Sequence, residues 1–387
     1  MFRPAAYNVY VHIFLFRRSR MDPTQRTVAF NGLYIPFPAP GETIGGPISF
    51  MRNLRREMSR RGVPYAASPR AAKLMFFPIA AEEHVVLYVK MRGGRIVQRL
   101  DGIHYPQAHT DYEERNAPIL NIYRHFADHV VFQSEYSRRQ CFTMLGEKCT
   151  AEYTIIPNGA DTDLFFPAEM PPPTTPFRFV TTGNFRHREM ISKVVEALDI
   201  VSAHSSVHFY LHVAGEIAHP DIPALLERPY IVYEGKQDLH DLCPLLRSCH
   251  AAVQVIANPN CQNSIMEAVS SGLPVIAFDT GSIGEFCTFN RDLLAPVLVP
   301  SHPVFHAYAD FLSEHLAEKI LLLVNNYEYF MNTARRYSNI FNMRDCCERY
   351  LDVFALQLEK TTTSLQLKEY VIPFLTSTAS HFLRKKR

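Results

Sequence analysis

The chain lacks most of the signatures that settle a protein's chemistry at once. None of its eight cysteines (Cys141, Cys149, Cys243, Cys249, Cys261, Cys287, Cys346 and Cys347) sits in a C-x-x-C pair, so spacing gives no support to a zinc or thioredoxin-like site. At 387 residues it is far too long for a small disulfide scaffold, and the cysteines read as buried, reduced thiols of a cytoplasmic protein. No apolar run reaches the roughly 20 residues that a membrane-crossing helix needs. No strand is followed by G-x-G-x-x-G, which disfavours a Rossmann dehydrogenase. Neither sign of charge dominates: 40 Lys and Arg against 38 Asp and Glu leave +2, too little to argue for a nucleic-acid partner. Tryptophan is absent, and no function follows from that.

Core material is plentiful. Hydrophobic residues make up 47% and charged residues 20%, an ordinary globular balance that excludes a disordered chain, a collagen and a coiled coil. The length exceeds what one core usually organises, so two domains are expected. Apolar, β-branched runs alternate with helical stretches. Strands are expected at 27–34, 73–77, 84–89, 96–100, 129–133 and 153–156, then at 177–181, 207–214, 230–233, 251–256 and 274–278. Continuous apolar strands are typical of parallel sheets buried on both faces. Their alternation with helices implies βαβ units, hence an α/β fold of two Rossmann-like, doubly wound domains facing across a cleft.

The boundaries follow from composition. Residues 7–16 are apolar, but Arg17, Arg18 and Arg20 come after them, the wrong order for a signal peptide. The preferred reading of residues 1–26 is a dispensable extension, with Met21 a candidate initiator and a membrane-touching segment the lesser reading. The first domain is placed at 27–166, a proline-rich linker (PAEMPPPTTP) at 167–176, the second domain at 177–343, and a helix with a basic tail, Arg384 to Arg387, at 344–387.

Four segments could carry chemistry. Gly45, Gly46 and Pro47 precede a helix capped by Ser49, so backbone N–H groups and a positive dipole end would face a phosphate or a sugar. That helix carries Arg52, Arg55, Arg56, Arg60 and Arg61 opposite Phe50, Leu54 and Met58, a pattern that suits either a solvated face or a peripheral contact with anionic membrane. The strand at 177–181 runs into Gly183, then Arg186, His187 and Arg188; guanidinium groups at a strand's carboxyl end are well placed to neutralise a diphosphate. In the stretch from Asn258 to Glu285, a loop, a helix carrying Asn263, Ser264 and Glu267, and a turn with Gly281, Ser282 and Ile283 would present a carboxylate and backbone amides to one crevice. Asp101 and His104 follow the strand at 96–100 and are candidate acid–base or sugar-orienting groups.

These residues resemble the family 4 glycosyltransferases, retaining enzymes of the two-domain GT-B architecture. Gly45-Gly46-Pro47 resembles the family's N-terminal glycine loop. Residues 127–137 (ADHVVFQSEYS) resemble its AD-x-V-x-x-x-S strand, and 155–165 (IIPNGADTDLF) its I-P-N-G-V-D link. Residues 267–277 (EAVSSGLPVIA) resemble the donor-site EA-x-x-x-G-x-P-V, and 281–285 (GSIGE) the GG-x-x-E that follows. The resemblance implies a transferase that takes a hexose-type sugar from a nucleoside diphosphate sugar, without a bound metal or other cofactor. The acceptor would be a glycan, a lipid-linked sugar or a small molecule, and the enzyme cytoplasmic or peripheral at the inner face of the membrane. Glu267 would hold the donor ribose, and Arg186 and Arg188 the diphosphate. Amides near Ser282 and Ile283 would support phosphate or sugar, and Gly46 would approach from the first domain. In one departure, Pro259 stands eight positions before Glu267, where the family often has a second acid. That keeps open a non-catalytic nucleotide- or sugar-binding homologue, beside a nucleotide-sugar epimerase or hydrolase.

Overall fold

A computed structural model of the chain describes residues 30–36, 46–106, 108–147, 152–298, 302 and 304–360. The N-terminal extension, Gly45, Cys149 and the basic tail lie outside the described residues.

The first sheet is built from β1 (Leu33–Tyr34), α1 (Gly46–Arg60), β2 (Leu74–Pro78), α2 (Glu83–Met91), β3 (Arg95–Leu100), α3 (Tyr112–His125), β4 (His129–Phe132), α4 (Glu135–Leu145) and β5 (Glu152–Ile155). Its five strands are all parallel, in the order β1-β2-β3-β4-β5. Alternate residues feed opposite faces, as the two-residue period of a strand requires. Leu74, Phe76, Val97 and Val131 pack under α1, whereas Met75, Phe77 and Ile96 pack under α2 and α3.

The second sheet uses β6 (Phe177–Phe185), α5 (Glu189–His204), β7 (Phe209–Ile217), α6 (Ile222–Leu225), β8 (Ile231–Gly235), α7 (Leu239–Ser248), β9 (Ala251–Gln254), α8 (Asn263–Ser270), β10 (Val275–Phe278), α9 (Ile283–Phe286) and β11 (Leu294–Ala295). Helices α10 (Ser313–Asn325), α11 (Tyr327–Arg336) and α12 (Met343–Glu359) follow. Its six parallel strands run in the order β11-β10-β9-β6-β7-β8. The chain winds outward from β6 to β8, then starts again on the other side with β9. The strand order therefore reverses between β6 and β9, and in open α/β sheets that switch point is where ligands bind. Phe179, Val253, Ile276 and Phe278 fill one face, and Val180, Ala252, Val275 and Ala277 the other.

Three expectations are corrected. Residues 84–89 form not a strand but part of helix α2; Val86, Val89 and Lys90 are buried at helical spacing, so the β-branched residues pack as one helix face. Strand β6 does not stop before Gly183 but continues through it to Phe185, moving the following loop outward. The last helix does not stand apart: α12 returns to the first sheet, where Tyr350 lies 5.4 Å from the Phe50 ring and 5.3 Å from that of Phe76, with Phe354 alongside.

The arginines of α1 face acidic side chains. Arg56 pairs with Asp161 at 2.7 Å, Arg60 with Asp163 at 3.2 Å, and Arg61 with Glu57 at 2.9 Å and with Glu348. Arg55 lies over the Tyr65 ring, and Arg52 is exposed. The helix thus clamps the segment joining the sheets and the returning α12, in place of the continuous basic face a lipid surface would need. Among the described residues no helix is long and apolar enough to cross a membrane.

Phe354 has no solvent exposure and sits between the first sheet and the returning helix. Phe354→Ala should lower unfolding stability by about 3–5 kcal/mol, read from the denaturant midpoint. A midpoint within error of the wild type would mean that α12 is not part of the first domain's core.

Candidate active site

The site begins with a buried charge. Arg99 is the penultimate residue of β3 and its side chain has no solvent exposure. One guanidinium nitrogen binds Asp101 at 2.6 Å, a second donates to Asn158 Oδ1 at 2.6 Å, and the group lies 3.6 Å over the Phe50 ring. Burial pushes the Asp101 carboxyl up to about 6, with Arg99 pulling it back down. The Asp101 carboxylate is thus largely an internal partner of Arg99, and only its Oδ1 is left without a donor.

Asn158 carries the contact into the second domain. Its backbone N–H donates to Cys261 Sγ at 3.2 Å, and its side-chain amide donates to Cys261 O at 3.1 Å and to Asn263 Oδ1 at 2.8 Å. Close packing completes the seam: a Cβ on Gly102 would lie 2.6 Å from Asn260 Nδ2, and φ is +150°, so only glycine fits there. His104 is partly buried, its backbone held on both sides by the Asn116 amide. Burial lowers its pKa, with His109 and Arg115 adding to the effect, so the imidazole is neutral at neutral pH.

The second domain supplies three charged groups without a partner among the described residues. Arg186 and Arg188 follow β6 directly, are exposed, and have no carboxylate within salt-bridge distance among the described residues. Lys193, by contrast, is paired with Glu196 at 3.3 Å. Glu267 stands one turn into α8, the helix that follows the loop from β9. No cation or hydrogen-bond donor engages its carboxylate among the described residues, and burial pushes its pKa up to about 7. A carboxylate recessed without a partner is costly to keep charged, and groups of this kind concentrate at functional sites. Gly183 and Gly46 leave open space where a Cβ would stand, and Ser264 Oγ is buried without a partner.

The glycine turn is arranged differently from expectation. Ser282 N and Oγ both donate to Pro259 O at 2.9 Å, and Ile283 N donates to Thr280 O at 3.0 Å. A Cβ on Gly281, where φ is +56°, would lie 2.5 Å from that same Pro259 oxygen. The Ser282 amide is therefore taken up by the loop that carries Pro259, and the Ile283 amide by Thr280 within the turn itself, so neither faces a ligand in this conformation. Asn263, expected at the donor, is likewise joined to Asn158.

Several residues of the site carry no motif of their own. Arg99 is one, although a charged residue inside the apolar run IVQRL is itself a signal. Glu285 does lie in a motif, GSIGE, and its carboxylate accepts from the backbone N–H groups of Glu135 at 2.9 Å and Tyr136 at 2.7 Å, across the cleft at the start of α4. Among the described residues, no three His, Cys, Asp or Glu side chains come together as a metal site.

Two parallel α/β domains meeting across such a seam define the GT-B fold. Residues 176–326 match the family described as Glycosyl transferases group 1. The solved structures of this fold that the chain resembles include HepE of Anabaena, determined with UDP and glucose (14% identity, TM-score 0.60, 84% of this chain and 99% of that one). They also include WaaG, a glycosyltransferase of lipopolysaccharide biosynthesis (13%, 0.59, 83% and 99%), and sucrose-phosphate synthase from Thermosynechococcus elongatus (14%, 0.56, 82% and 81%). A search of curated proteins by sequence gives no match.

The Glu267 carboxyl sets a pH test. Its folded-state pKa of about 7 lies above the ordinary 4.5, so the folded protein binds this proton more tightly than the unfolded chain does. Stability therefore falls as pH rises from about 4.5 to about 7. The melting point of Glu267→Gln relative to the wild type should climb across that window and level off above it. A difference that does not change with pH would show that the carboxylate is solvated, and one of opposite slope at lower pH that it is paired.

Proposed function

We propose that the chain is a retaining glycosyltransferase that moves a hexose-type sugar from a nucleoside diphosphate sugar to a glycan, lipid-linked or small-molecule acceptor in the cytoplasm. The observation that carries this reading is the pair of complementary unpartnered charges at the switch point. Arg186 and Arg188 stand on one side, and the recessed carboxylate of Glu267 on the other. A diphosphate needs cations, and a ribose needs an acceptor for its two hydroxyls. The match of residues 176–326 to Glycosyl transferases group 1 supports the same reading.

In this mechanism Glu267 receives the ribose hydroxyls. Ser264 and the open backbone at Gly183 lie along the nucleotide, and Gly46, beside Gly45, approaches from the first domain. Arg186 and Arg188 stabilise the negative charge that develops on the diphosphate as the bond from the sugar's anomeric carbon breaks. The acceptor hydroxyl forms the new bond to that carbon on the face the diphosphate leaves, and its proton goes to the departing phosphate oxygen or to neutral His104. Asp101 acts through Arg99, holding the floor of the cleft. The charge on the phosphates is met by arginine, and the reading includes no resident metal or cofactor. It also leaves out a lipid surface, because Arg56 and Arg60 of α1 are engaged by Asp161 and Asp163.

A second reading has one observation in its favour. Pro259 stands where the resembled family often has an acid, and its carbonyl takes the Ser282 amide, so this loop offers neither a carboxylate nor that N–H to a donor; a protein that binds a nucleotide or a sugar without turnover would fit this. Release of nucleoside diphosphate from a panel of nucleotide sugars, with and without added acceptors, separates the two. Transfer requires release that depends on one donor; binding without release from any donor supports the second reading, and free sugar without an acceptor indicates a hydrolase. Arg186→Ala combined with Arg188→Ala should lower kcat/KM by about 10²–10³-fold. The melting point should be almost unchanged, and a matching loss of stability would make the pair structural.

A further inference from the structure

The described part of the connection from β11 to α10 reaches from the second domain into the first. Loops between a strand and the next helix usually run about 2–6 residues, and longer ones in compact domains are commonly lids or binding loops. Here 17 residues separate Ala295 from Ser313. Their described part touches three places. Phe305, 2% exposed, sits in the first domain's core beside Leu100, Ile103 and Val130, its ring stacked on Tyr105 at 4.3 Å. His306 is held by Asn258, in the loop after β9, through both backbone groups: His306 N donates to Asn258 Oδ1 at 2.8 Å, and Asn258 Nδ2 donates to His306 O at 2.9 Å. Tyr308 reaches the backbone of Ala257, also after β9, and lies 5.4 Å from the His187 ring, after β6. The segment therefore spans the carboxyl ends of both strands that flank the switch point.

Asn258 fastens this arrangement. Besides the two bonds to His306, its Oδ1 accepts from the Tyr136 hydroxyl at 3.0 Å, and its Nδ2 donates to the Tyr105 hydroxyl at 3.1 Å. The Tyr136 hydroxyl is also 2.8 Å from Val304 O. Every hydrogen-bonding position of the amide is thus filled by a partner in the first domain or in the crossing segment, so Asn258 is not available to a sugar hydroxyl. Two polar atoms near the segment have no partner: His306 Nδ1 and Asn260 Oδ1 are buried and unsatisfied. Such atoms disfavour the covered state, and a ligand or water entering would satisfy them.

We propose that Val304 to Tyr308 is a strap closed over the donor crevice, and that Asn258, Tyr105 and Tyr136 are positioning residues that hold it shut. This rests on the donor-site reading given above. The strap must leave the first domain before a nucleoside diphosphate enters, so strap release and nucleotide binding are one coupled equilibrium. A ligand that binds only the open form has its apparent affinity reduced by the fraction of molecules that are open. Loosening the strap therefore tightens nucleotide binding, the opposite of what loss of a ligand contact does.

Tyr136→Phe removes one hydroxyl, and with it the bonds to Asn258 and to Val304, while keeping the ring. Hydrogen exchange at the His306 amide in the full-length protein reports strap opening. It should speed up by about tenfold in the variant. The dissociation constant for the nucleoside diphosphate that binds best among UDP, GDP, ADP and dTDP should fall by up to the same factor. Saturation with that nucleotide should abolish protection of the His306 amide in the wild type. Phe305→Ala, which removes the anchor in the first domain, should act in the same direction and more strongly. Faster exchange with unchanged or weaker nucleotide binding overturns the strap and leaves the donor site standing. Unchanged exchange overturns the role of Tyr136. If no nucleoside diphosphate binds either protein, the donor-site reading falls first and the strap falls with it.

Discussion

The guanidinium of Arg99 is the constraint on which the seam between the two sheets depends. An arginine with no solvent exposure needs compensating partners, because an uncompensated buried charge costs several kcal/mol; here both terminal nitrogens have one and only Nε is left without. Asp101 supplies the charge, Asn158 an acceptor, and Phe50 a ring face. Each partner comes from a different part of the chain: the end of β3, the segment joining the sheets, and the first turns of α1. Tyr350 and Cys346, from the returning α12, complete the surroundings. A displacement of any of these elements would strip a partner from the charge. The first domain, the joining segment and the last helix are therefore fixed relative to one another, and Asn158 extends the constraint to the donor loop through Cys261 and Asn263.

The same reasoning sorts the polar residues of the cleft by whether their bonding is complete. Asn158, Asn258, Ser282 and Glu285 are fully engaged within the protein, and they hold the two domains and the glycine turn in place. Arg186, Arg188 and Glu267 have no such partners. A group already satisfied gains little from a ligand, whereas one desolvated without a partner gains a great deal. Under the proposed function the second set is where substrate binds, Glu267 as the recessed group and Arg186 and Arg188 as exposed cations, and the first shapes the crevice. Glu285 shows the distinction well: it lies in a motif associated with the donor, yet its carboxylate closes the N-terminal end of α4 in the opposite domain.

Much of the fold was legible in the sequence because buried parallel strands leave a strong trace. The runs at 96–100, 177–181 and 251–256 have no polar face, and they became β3, β6 and β9 at the centres of their sheets. The run at 84–89 misled because Val and Tyr are common in strands, while the spacing of Val86, Val89 and Lys90 decided for a helix. Glu267, Arg186 and Arg188 were visible as charged groups beside strand ends. The occupied amide of Ser282 was not, since it depends on the path of Pro259, a neighbour in space more than twenty positions earlier. The strap was equally hidden: it has no periodicity, and its anchors in Tyr105 and Tyr136 exist only once the two domains meet.

The central claim is that Glu267 completes a site for a nucleoside diphosphate sugar. The most direct measurement is calorimetric titration of the wild type and of Glu267→Gln with UDP, GDP, ADP and dTDP. The account expects one of the four to bind the wild type, and the variant to lose at least about tenfold in affinity for it while keeping its fold. Equal affinity in the two proteins, or no binding by the wild type, would contradict it.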